Sequence, residues 1–220
     1  MAAVTEIARL AARQVREAGE VLGQAFYDDP FYVYLLPNDA ERIRPLAWML
    51  GTWTRYGHLY GEVYTTTERM DGVAVWLPPE SPPMSRERSI RAGMAPMPRK
   101  LGPEGYQRLV SMRRHFDELH KRDAPEPHWY LWVLGVDPPR QGQGVGGALL
   151  QPVLARADGE GLPCYLETQK ERNVPFYQKH GFEVVVEDDL PDGGLHSWTM
   201  KRPPQHMQRL AIGRTAGPAS

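Results

Sequence analysis

Four glycines lie within seven residues at a point where the backbone could hold an anion. The segment Gln141–Gly147 reads Gln-Gly-Gln-Gly-Val-Gly-Gly, and it stands between an apolar run and an amphipathic helical pattern. Glycine weakens a helix start unless the backbone has to approach something closely. The first N–H groups of a helix have no intrahelical partner, and the helix dipole is positive there. The segment therefore predicts a pyrophosphate site, with a tight strand-to-helix packing turn as the alternative.

Two common phosphate-binding patterns fit this segment poorly. A Walker A loop ends in Gly-Lys-Ser/Thr, whereas Gly147 is followed by alanine and leucine. The dinucleotide pattern Gly-x-Gly-x-x-Gly does match at Gly142, Gly144 and Gly147, and Glu167 lies where a ribose ligand could stand. However, five residues separate the strand from the first glycine, where a Rossmann turn is immediate. A dinucleotide-binding oxidoreductase is therefore only a weaker alternative.

Hydrophobic periodicity and turn residues predict the elements that would position this segment. Helices are predicted over 12–26, 41–60, 109–121, 173–180 and from the Gly-rich turn to about 158. Strands are predicted over 7–11, 62–66, 72–77, 129–136, 162–168, 182–186 and 195–201. The proline-rich stretch 78–105 predicts a loop or a broken helix, and a turn is expected at 191–194.

Composition excludes several classes of protein. A chain of 220 residues that is 41% hydrophobic fits one domain, expected over 1–203, with a flexible tail at 204–220. A net charge of −1 offers no basic field for nucleic acid. No stretch approaches the ~20 apolar residues of a membrane helix, and the first residues lack a signal-peptide pattern. One cysteine suits a reducing compartment, so we expect a cytoplasmic protein.

The segments around the turn resemble the GNAT superfamily of N-acetyltransferases. An apolar strand precedes Gln141, Gly144 and Gly146, which follow the family order Gln/Arg-x-x-Gly-x-Gly/Ala. Four further segments resemble family motifs in order and spacing: 24–30, 166–168, 172–177 and 181–182. The resemblance implies an α/β (α+β) fold with a central mixed, mostly antiparallel sheet of six to seven strands. This sheet would be splayed between strands four and five and flanked by helices.

The same resemblance implies acetyl-CoA as acetyl donor and gives roles to particular residues. Turn amides would bind the pyrophosphate, from Gln141, Gly142, Gln143, Gly144, Val145, Gly146 and Gly147. Backbone groups near Leu134 and Val136 would bond the pantetheine amides. Asn173 and Tyr177 are four residues apart and share one helix face. In the family the asparagine bonds the cofactor, and the tyrosine hydroxyl near the thioester sulfur can donate to the leaving thiolate. Aromatic packing is the alternative for Tyr177.

The proton acceptor has two candidates in the sequence. An aliphatic amine with a pKa of ~10 must lose a proton before it attacks a thioester. Glu167 is the leading candidate base, directly or through water, and a structural hydrogen bond is its alternative. His128 is a weaker candidate base, and a solvated histidine is its alternative. Gly135, inside a predicted strand, indicates a bulge or close ligand approach, or plain packing. Cys164 is expected to be a small buried residue rather than a nucleophile.

The sequence thus predicts an acyltransferase that moves acetyl from acetyl-CoA to a primary amine of a small molecule, by direct attack in a ternary complex. A protein lysine or N-terminus is the alternative acceptor, and a non-catalytic acyl-CoA-binding module is the alternative class. Aromatic residues before position 61 favour a small acceptor, and three of them could line its pocket or pack the helices: Tyr27, Tyr32 and Tyr34. The seven histidines show no metal-binding spacing, so no metal is expected. A homodimer is compatible with this fold.

Overall fold

Seven strands form one sheet in a computed structural model that describes residues 6–81, 84–189 and 195–205. The strands are β1 (Ile7–Arg9), β2 (Glu62–Thr66), β3 (Gly72–Leu77), β4 (Trp129–Val136), β5 (Cys164–Thr168), β6 (Glu183–Asp189) and β7 (His196–Arg202). The helices are α1 (Val15–Ala25), α2 (Pro30–Leu35), α3 (Asp39–Tyr60), α4 (Arg86–Arg91), α5 (Met97–Asp123), α6 (Val145–Glu160) and α7 (Val174–Lys179). The turn predicted at 191–194 and positions 206–220 of the predicted tail lie outside the described residues. The single domain predicted for 1–203 stays a prediction.

The strand order is β1-β2-β3-β4-β5-β7-β6, and every neighbouring pair is antiparallel except β4 with β5. That parallel pair is short: it joins Trp129 to Cys164 and Tyr130 to Tyr165, and then the two strands separate. The predicted mixed sheet with a splay between strands four and five is confirmed. A doubly wound dinucleotide fold is excluded, because it requires a mostly parallel sheet.

The sheet separates two apolar cores. One core holds side chains of α1, α2, α3 and α5 with Val133 of β4, and the other holds side chains of α6 and Tyr177 of α7. The central strands therefore have apolar residues on both faces, which explains the nearly continuous apolar run that predicted β4. Among the described residues, no helix combines the length and apolarity that crossing a membrane requires.

A bulge in β4 reverses which residues face each core. Val75 of β3 pairs with Val133, but the next residue, Trp76, pairs with Leu131, so Trp132 is an extra residue without a partner in β3. Leu131 lies in the α6-side core, Trp132 and Val133 both contact the α1–α3 side, and Leu134 returns to the α6 side. This bulge lies next to the point at which β4 leaves β5.

Packing, one of the two alternatives for Gly135, explains this glycine, and the bulge of the strand lies at Trp132. A Cβ placed on Gly135 would lie 2.7 Å from Leu22 Cδ2 and 3.0 Å from Phe26 Cε2. Both neighbours are on or just after α1. The missing side chain therefore lets α1 lie directly on β4, and the strand is bulged at Trp132 instead.

Two regions hold more helix than the sequence pattern predicted. Pro30 begins α2, because Asp29 Oδ1 accepts the Phe31 N–H at 3.1 Å and proline is well suited to a first helical position. The stretch 78–105 contains α4 and the first turns of α5, which bends at Gly102. The other helices and strands agree with the prediction to within a few residues.

The contact between α1 and β4 can be tested at Gly135. We expect Gly135→Ala to lower the free energy of unfolding by about 1–3 kcal/mol, because the new methyl group has no room. Gly159→Ala is the matched control: a Cβ there would have no neighbour within 4 Å, and alanine suits a helix better than glycine. Urea unfolding followed by circular dichroism measures both. Equal midpoints for Gly135→Ala and the wild type would contradict the packing explanation.

Candidate active site

The Gly-rich turn forms the N-terminus of α6, as predicted. Gly144 is the residue before the helix and has φ 85°, and Gly142 has φ 73°. A Cβ on either would contact nothing within 4 Å, so backbone conformation rather than crowding requires glycine there. The first α6 hydrogen bond runs from Ala148 N to Gly144 O at 3.0 Å. The N–H groups of Val145, Gly146 and Gly147 therefore precede the helical ladder and can bind an anion.

The side chains of the turn hold its shape. Gln141 Nε2 donates to Val136 O at 3.1 Å, and Gln143 Nε2 donates to Pro139 O at 2.9 Å. Gly146 and Gly147 face α7: a Cβ on them would lie 3.2 Å from Phe176 Cζ and 2.8 Å from His180 Nε2, respectively. The glutamine side chains thus brace the loop, and the anion-binding capacity of the turn belongs to its backbone.

The edge of β4 that faces β5 is open beyond Tyr130. The Asp137 N–H donates to Asp71 O at 2.8 Å, which continues the ladder with β3. In an antiparallel ladder, successive residues point their backbone groups to alternate sides. The backbone groups of Leu134 and Val136 therefore point away from β3, into the gap beside β5. Both residues predicted to bind pantetheine lie on this edge.

Glu167 lies on β5 two residues beyond Tyr165, the last residue paired with β4. Its side chain is 8% exposed. Tyr130 Oη donates to Glu167 Oε2 at 2.7 Å, and His120 Nδ1 lies 4.0 Å from Oε1. Within the described part of the chain, neither Glu167 Oε1 nor Tyr165 Oη has a partner at hydrogen-bond distance. Tyr165 is nevertheless close enough to Glu167 to lower the pKa of Glu167, as Tyr130 does. Burial raises the pKa of Glu167 to about 8, so the carboxyl group holds its proton more tightly than an exposed one.

Two histidines stand beside Glu167. The Nε2 atoms of His120 and His128 are 2.6 Å apart, and His128 Nδ1 is 2.6 Å from Glu126 O. Burial lowers the pKa of His120 to about 4 and also lowers the pKa of His128, so both rings are neutral near pH 7. The sequence suggested His128 as a weaker candidate but missed His120. No local pattern distinguishes His120 from the other polar residues of its helix.

The end of α5 that carries His120 is fixed to the sheet by Asp123. Thr199 Oγ1 of β7 donates to Asp123 Oδ2 at 2.8 Å, and Lys201 Nζ donates to the Asp123 carbonyl at 3.3 Å. Asp123 is buried, and its carboxylate also accepts from Arg122 Nε at 2.6 Å and from Arg122 Nη2 at 3.1 Å. The bonds from Thr199 and Arg122 replace the water that the carboxylate would otherwise bind. The bonds from β7 hold the last turns of α5 over the short β4–β5 pair.

Tyr177 approaches from the other side of the sheet. It is buried in the α6-side core and packs edge-on against Phe176 and Phe182, with centroids 5.1 and 5.8 Å away. Burial raises the pKa of Tyr177, which keeps its hydroxyl protonated. Asn173 Nδ2 donates to Thr168 Oγ1 at 3.1 Å and so ties the start of α7 to the end of β5. Tyr177 and Glu167, the two predicted catalytic residues, thus occupy opposite faces of the sheet.

A buried acid that the sequence did not single out lies near Tyr177. Burial raises the pKa of Asp29 to about 6, and the charge of Asp29 in turn raises the pKa of Tyr177. Lys170 Nζ is 2.6 Å from Asp28 Oδ1 and 4.0 Å from Asp29 Oδ2. These ion pairs connect the loop after α1 to the loop after β5.

The remaining candidate residues have structural contacts. Tyr32 is buried against Phe26 and Phe31, which agrees with the alternative that it packs the helices. The other two tyrosines contact arginines, Tyr27 under Arg42 and Tyr34 under Arg108. Cys164 is buried, and burial raises its pKa to about 12, which fits the expected apolar role. The described residues contain no group of three acidic, histidine or cysteine side chains that could hold a metal ion.

Comparisons with known proteins agree with this geometry. Residues 107–182 match the model of the Acetyltransferase (GNAT) family. An uncharacterized N-acetyltransferase of Schizosaccharomyces pombe is 29% identical over 181 residues, which are 79% of this chain and 72% of that protein. The mycothiol acetyltransferase of Propionibacterium freudenreichii is 39% identical over 77 residues, which are 34% of this chain and 24% of that protein.

A solved structure shows the same fold. The structure, described as histone acetyltransferase HPA2 and related acetyltransferase, is from Corynebacterium glutamicum. It superposes on this chain with a TM-score of 0.60 and 22% sequence identity, over 91% of this chain and 96% of that one. The protein is an acyltransferase with a GNAT fold. The predicted fold class and the predicted enzyme class are therefore both confirmed.

A cavity of the acyltransferase lies away from the residues described above. It has a volume of about 510 Å³ and lies between α1 and α3, where Trp48, Arg44 and Arg55 contribute to its wall. None of the candidate site residues lines it. The gap between β4 and β5 is a different feature, with the α6 N-terminus near one end and Glu167 near the other.

The burial of Glu167 makes the stability of the acyltransferase pH-dependent. The unfolded carboxyl ionises near its ordinary pKa of 4.5 and the folded one near 8, so the wild type loses stability as pH rises through this window. Glu167→Gln removes that loss. We expect the free energy of unfolding of Glu167→Gln, relative to that of the wild type, to increase by on the order of 3–5 kcal/mol between pH 4.5 and 8 and then to level off. Denaturant unfolding across this pH range measures this difference.

Glu171→Gln, at an exposed position, is the control for the charge change. It reports how the loss of one exposed carboxylate changes stability over the same pH range. If the Glu167→Gln curve runs parallel to that of the wild type, Glu167 is not a carboxyl group with a raised pKa.

Proposed function

We propose that this acyltransferase moves an acetyl group from acetyl-CoA to a primary amine of a small molecule, by direct attack in a ternary complex. One observation carries the proposal: a single gap in the sheet has unpaired helix N–H groups near one end and a buried carboxyl group, Glu167, near the other. An extended ligand with an anionic end and a reactive end fits such a gap.

The residues that would hold acetyl-CoA follow the length of the gap. The N–H groups of Val145–Gly147 would bind the pyrophosphate. The backbone of Leu134 and Val136 would bond the pantetheine amides along the open edge of β4, and Asn173 would bond the cofactor from the start of α7. Acetyl-CoA supplies an acyl thioester, which an unprotonated amine can attack.

Glu167 and Tyr177 would handle the protons. The ionised form of Glu167, which grows as pH rises through about 8, would accept a proton from the ammonium group, and its raised pKa is closer to that of an amine. Tyr177 keeps its own proton, because burial raises its pKa, and its hydroxyl can donate a hydrogen bond to the departing thiolate, which the second ammonium proton then neutralises. Their positions on opposite faces of the sheet support one acting on the amine and the other on the sulfur.

Aromatic side chains near Glu167 support a small acceptor. Trp132 and Tyr130 share a face of β4, and Tyr130 bonds Glu167. Trp53 stacks on Trp132 with ring centroids 5.2 Å apart and an interplanar angle of 22°. Such faces bind apolar groups and attract ammonium ions. The sequence also resembles puromycin N-acetyltransferase at 74–76 and over 128–201, which favours a small amine without fixing it. The homodimer and the cytoplasmic location stay predictions.

Acetyl-CoA binding can be tested by calorimetry. We expect saturable binding by the wild type and at least a tenfold weaker affinity for Gly144→Glu, because a carboxylate would face the pyrophosphate across the turn. Gly159→Glu carries the same charge change near the other end of α6 and should bind normally. NADH and ATP serve as ligand controls, and thermal melts verify that both variants fold.

An amine panel with detection of released thiol then distinguishes the acceptors. Higher kcat/KM for small primary amines than for lysine peptides or peptide N-termini supports the proposal. The reverse order favours a protein acceptor. Acetyl-CoA binding with no turnover on any amine identifies a binding module, and failure of the folded wild type to bind acetyl-CoA rejects the proposed donor.

A further inference from the structure

The proposed reaction has to release a proton from a nearly buried group. An ammonium ion and an acetyl thioester give an amide, a thiol and one proton. Of the three ammonium protons, one stays on the amide and two are lost; the thiolate gains one proton in total, so the net release is one. Glu167, which would take the proton from the amine, is only 8% exposed. Each turnover therefore needs a route from Glu167 to water.

The hydrogen bonds around the two histidines fix their tautomers. Because Glu126 O can only accept, the 2.6 Å contact places the proton of His128 on Nδ1. His128 Nε2 then carries a lone pair, so His120 Nε2 must be the donor in the 2.6 Å contact between the rings. The remaining nitrogen, His120 Nδ1, carries a lone pair and lies 4.0 Å from the unpartnered Oε1 of Glu167.

We propose that His120 and His128 form a proton relay that carries the proton from Glu167 to bulk water. This inference rests on the proposed function, because it supplies the route that the acetyl transfer requires. Both rings are already in the tautomer that accepts a proton on the Glu167 side and donates one on the other side.

Every transfer in the relay conserves protons and charge. The O–H proton of Glu167 passes to His120 Nδ1, and the Nε2 proton of His120 passes to His128 Nε2. His120 is then neutral in its other tautomer, and His128 is an imidazolium ion. His128 is half-buried and loses its Nδ1 proton to water when the bond to Glu126 O opens, which leaves both rings neutral in their second tautomers. Side-chain rotation and proton exchange with water then restore the first tautomers. The 4.0 Å between His120 and Glu167 is closed by a small side-chain rotation or one bridging water.

The energetics permit turnover. The pKa of about 8 for Glu167 and of about 4 for His120 make the first transfer unfavourable by a factor on the order of 10⁴. A transfer step without any barrier would proceed at ~6 × 10¹² s⁻¹. Reducing this frequency by the unfavourable equilibrium alone gives a rate far above the kcat of ~1–10³ s⁻¹ that is usual for enzymes. The relay therefore does not have to limit turnover.

Other charged groups also act on the pair, from each element packed against it. Three carboxylates and one lysine lie around the two rings and Glu167. They belong to Asp117 and Asp123 of α5, Glu126 of the loop before β4 and Lys201 of β7. The phenols that contact the rings are Tyr130 and Tyr165. Lys201 forms an ion pair with Glu126, Arg122 with Asp123 and Arg113 with Asp117, so the charges of these carboxylates are largely compensated.

The tautomers can be tested without any activity measurement. In ¹⁵N-histidine-labelled wild type at pH 7, we expect the Nε2–H form for His120 and the Nδ1–H form for His128, assigned from long-range ¹H–¹⁵N correlations and single-histidine variants. An Nδ1–H form at His120 would overturn the relay, because that nitrogen could not accept a proton. This result stands whether or not the chain transfers acetyl groups.

Kinetics test the transfer itself. His120→Gln and His128→Gln keep polar side chains that cannot pass a proton on, and we expect each to lower kcat by about 10- to 100-fold with little change in KM. His58→Gln, on the exposed face of α3, is the control and should leave kcat unchanged. Added imidazole should restore part of the activity of His128→Ala, which a merely structural role would not allow.

A double variant shows whether the residues act in series. If they do, Glu167→Gln combined with His120→Gln loses no more kcat than Glu167→Gln alone. Additive losses, or histidine variants with normal kcat, would overturn the relay while the wild type stays active. A wild type that transfers acetyl to no amine rejects the proposed function instead, and the tautomers still decide whether the pair is built to accept a proton from Glu167.

Discussion

The parallel pairing of β4 with β5 lasts for only two residues, and the rest of the site depends on this separation. Backbone N–H and C=O groups inside a protein need partners, yet the edge of β4 beyond Tyr130 has none from β5. One carbonyl, that of Val136, is bonded by Gln141 from the turn that begins α6. The others face the gap, and the proposed ligand would bond them there, next to the α6 N-terminus.

The two ends of the gap differ in charge and in access to water. The α6 end presents N–H groups and a positive dipole on an exposed glycine turn, which suits a hydrated anion. The other end is buried: Glu167 has its pKa raised and His120 has its pKa lowered by the same loss of water. The bulge places Trp132 and Val133 together on the side that carries Glu167.

Local patterns in the sequence predicted most elements and the Gly-rich turn. Their causes are local: periodic apolar residues, and glycines that a helix start does not tolerate without reason. The pattern could not distinguish packing from ligand approach at Gly135, because the deciding atoms belong to α1. His120 was missed for a similar reason: its partners come from β4, β5 and the loop between α5 and β4. The bond between Asp123 and Thr199 holds α5 beside them.

Hydrogen exchange at single amides, followed by NMR with and without acetyl-CoA, tests the central claim most directly. If the gap holds the ligand, the amides of Leu134, Val136 and Val145–Gly147 gain protection when acetyl-CoA is added. The amide of Gly135, which points to β3, should change little and serves as an internal reference. Binding of acetyl-CoA with unchanged exchange at these amides, or with protection confined to the cavity between α1 and α3, would contradict the account.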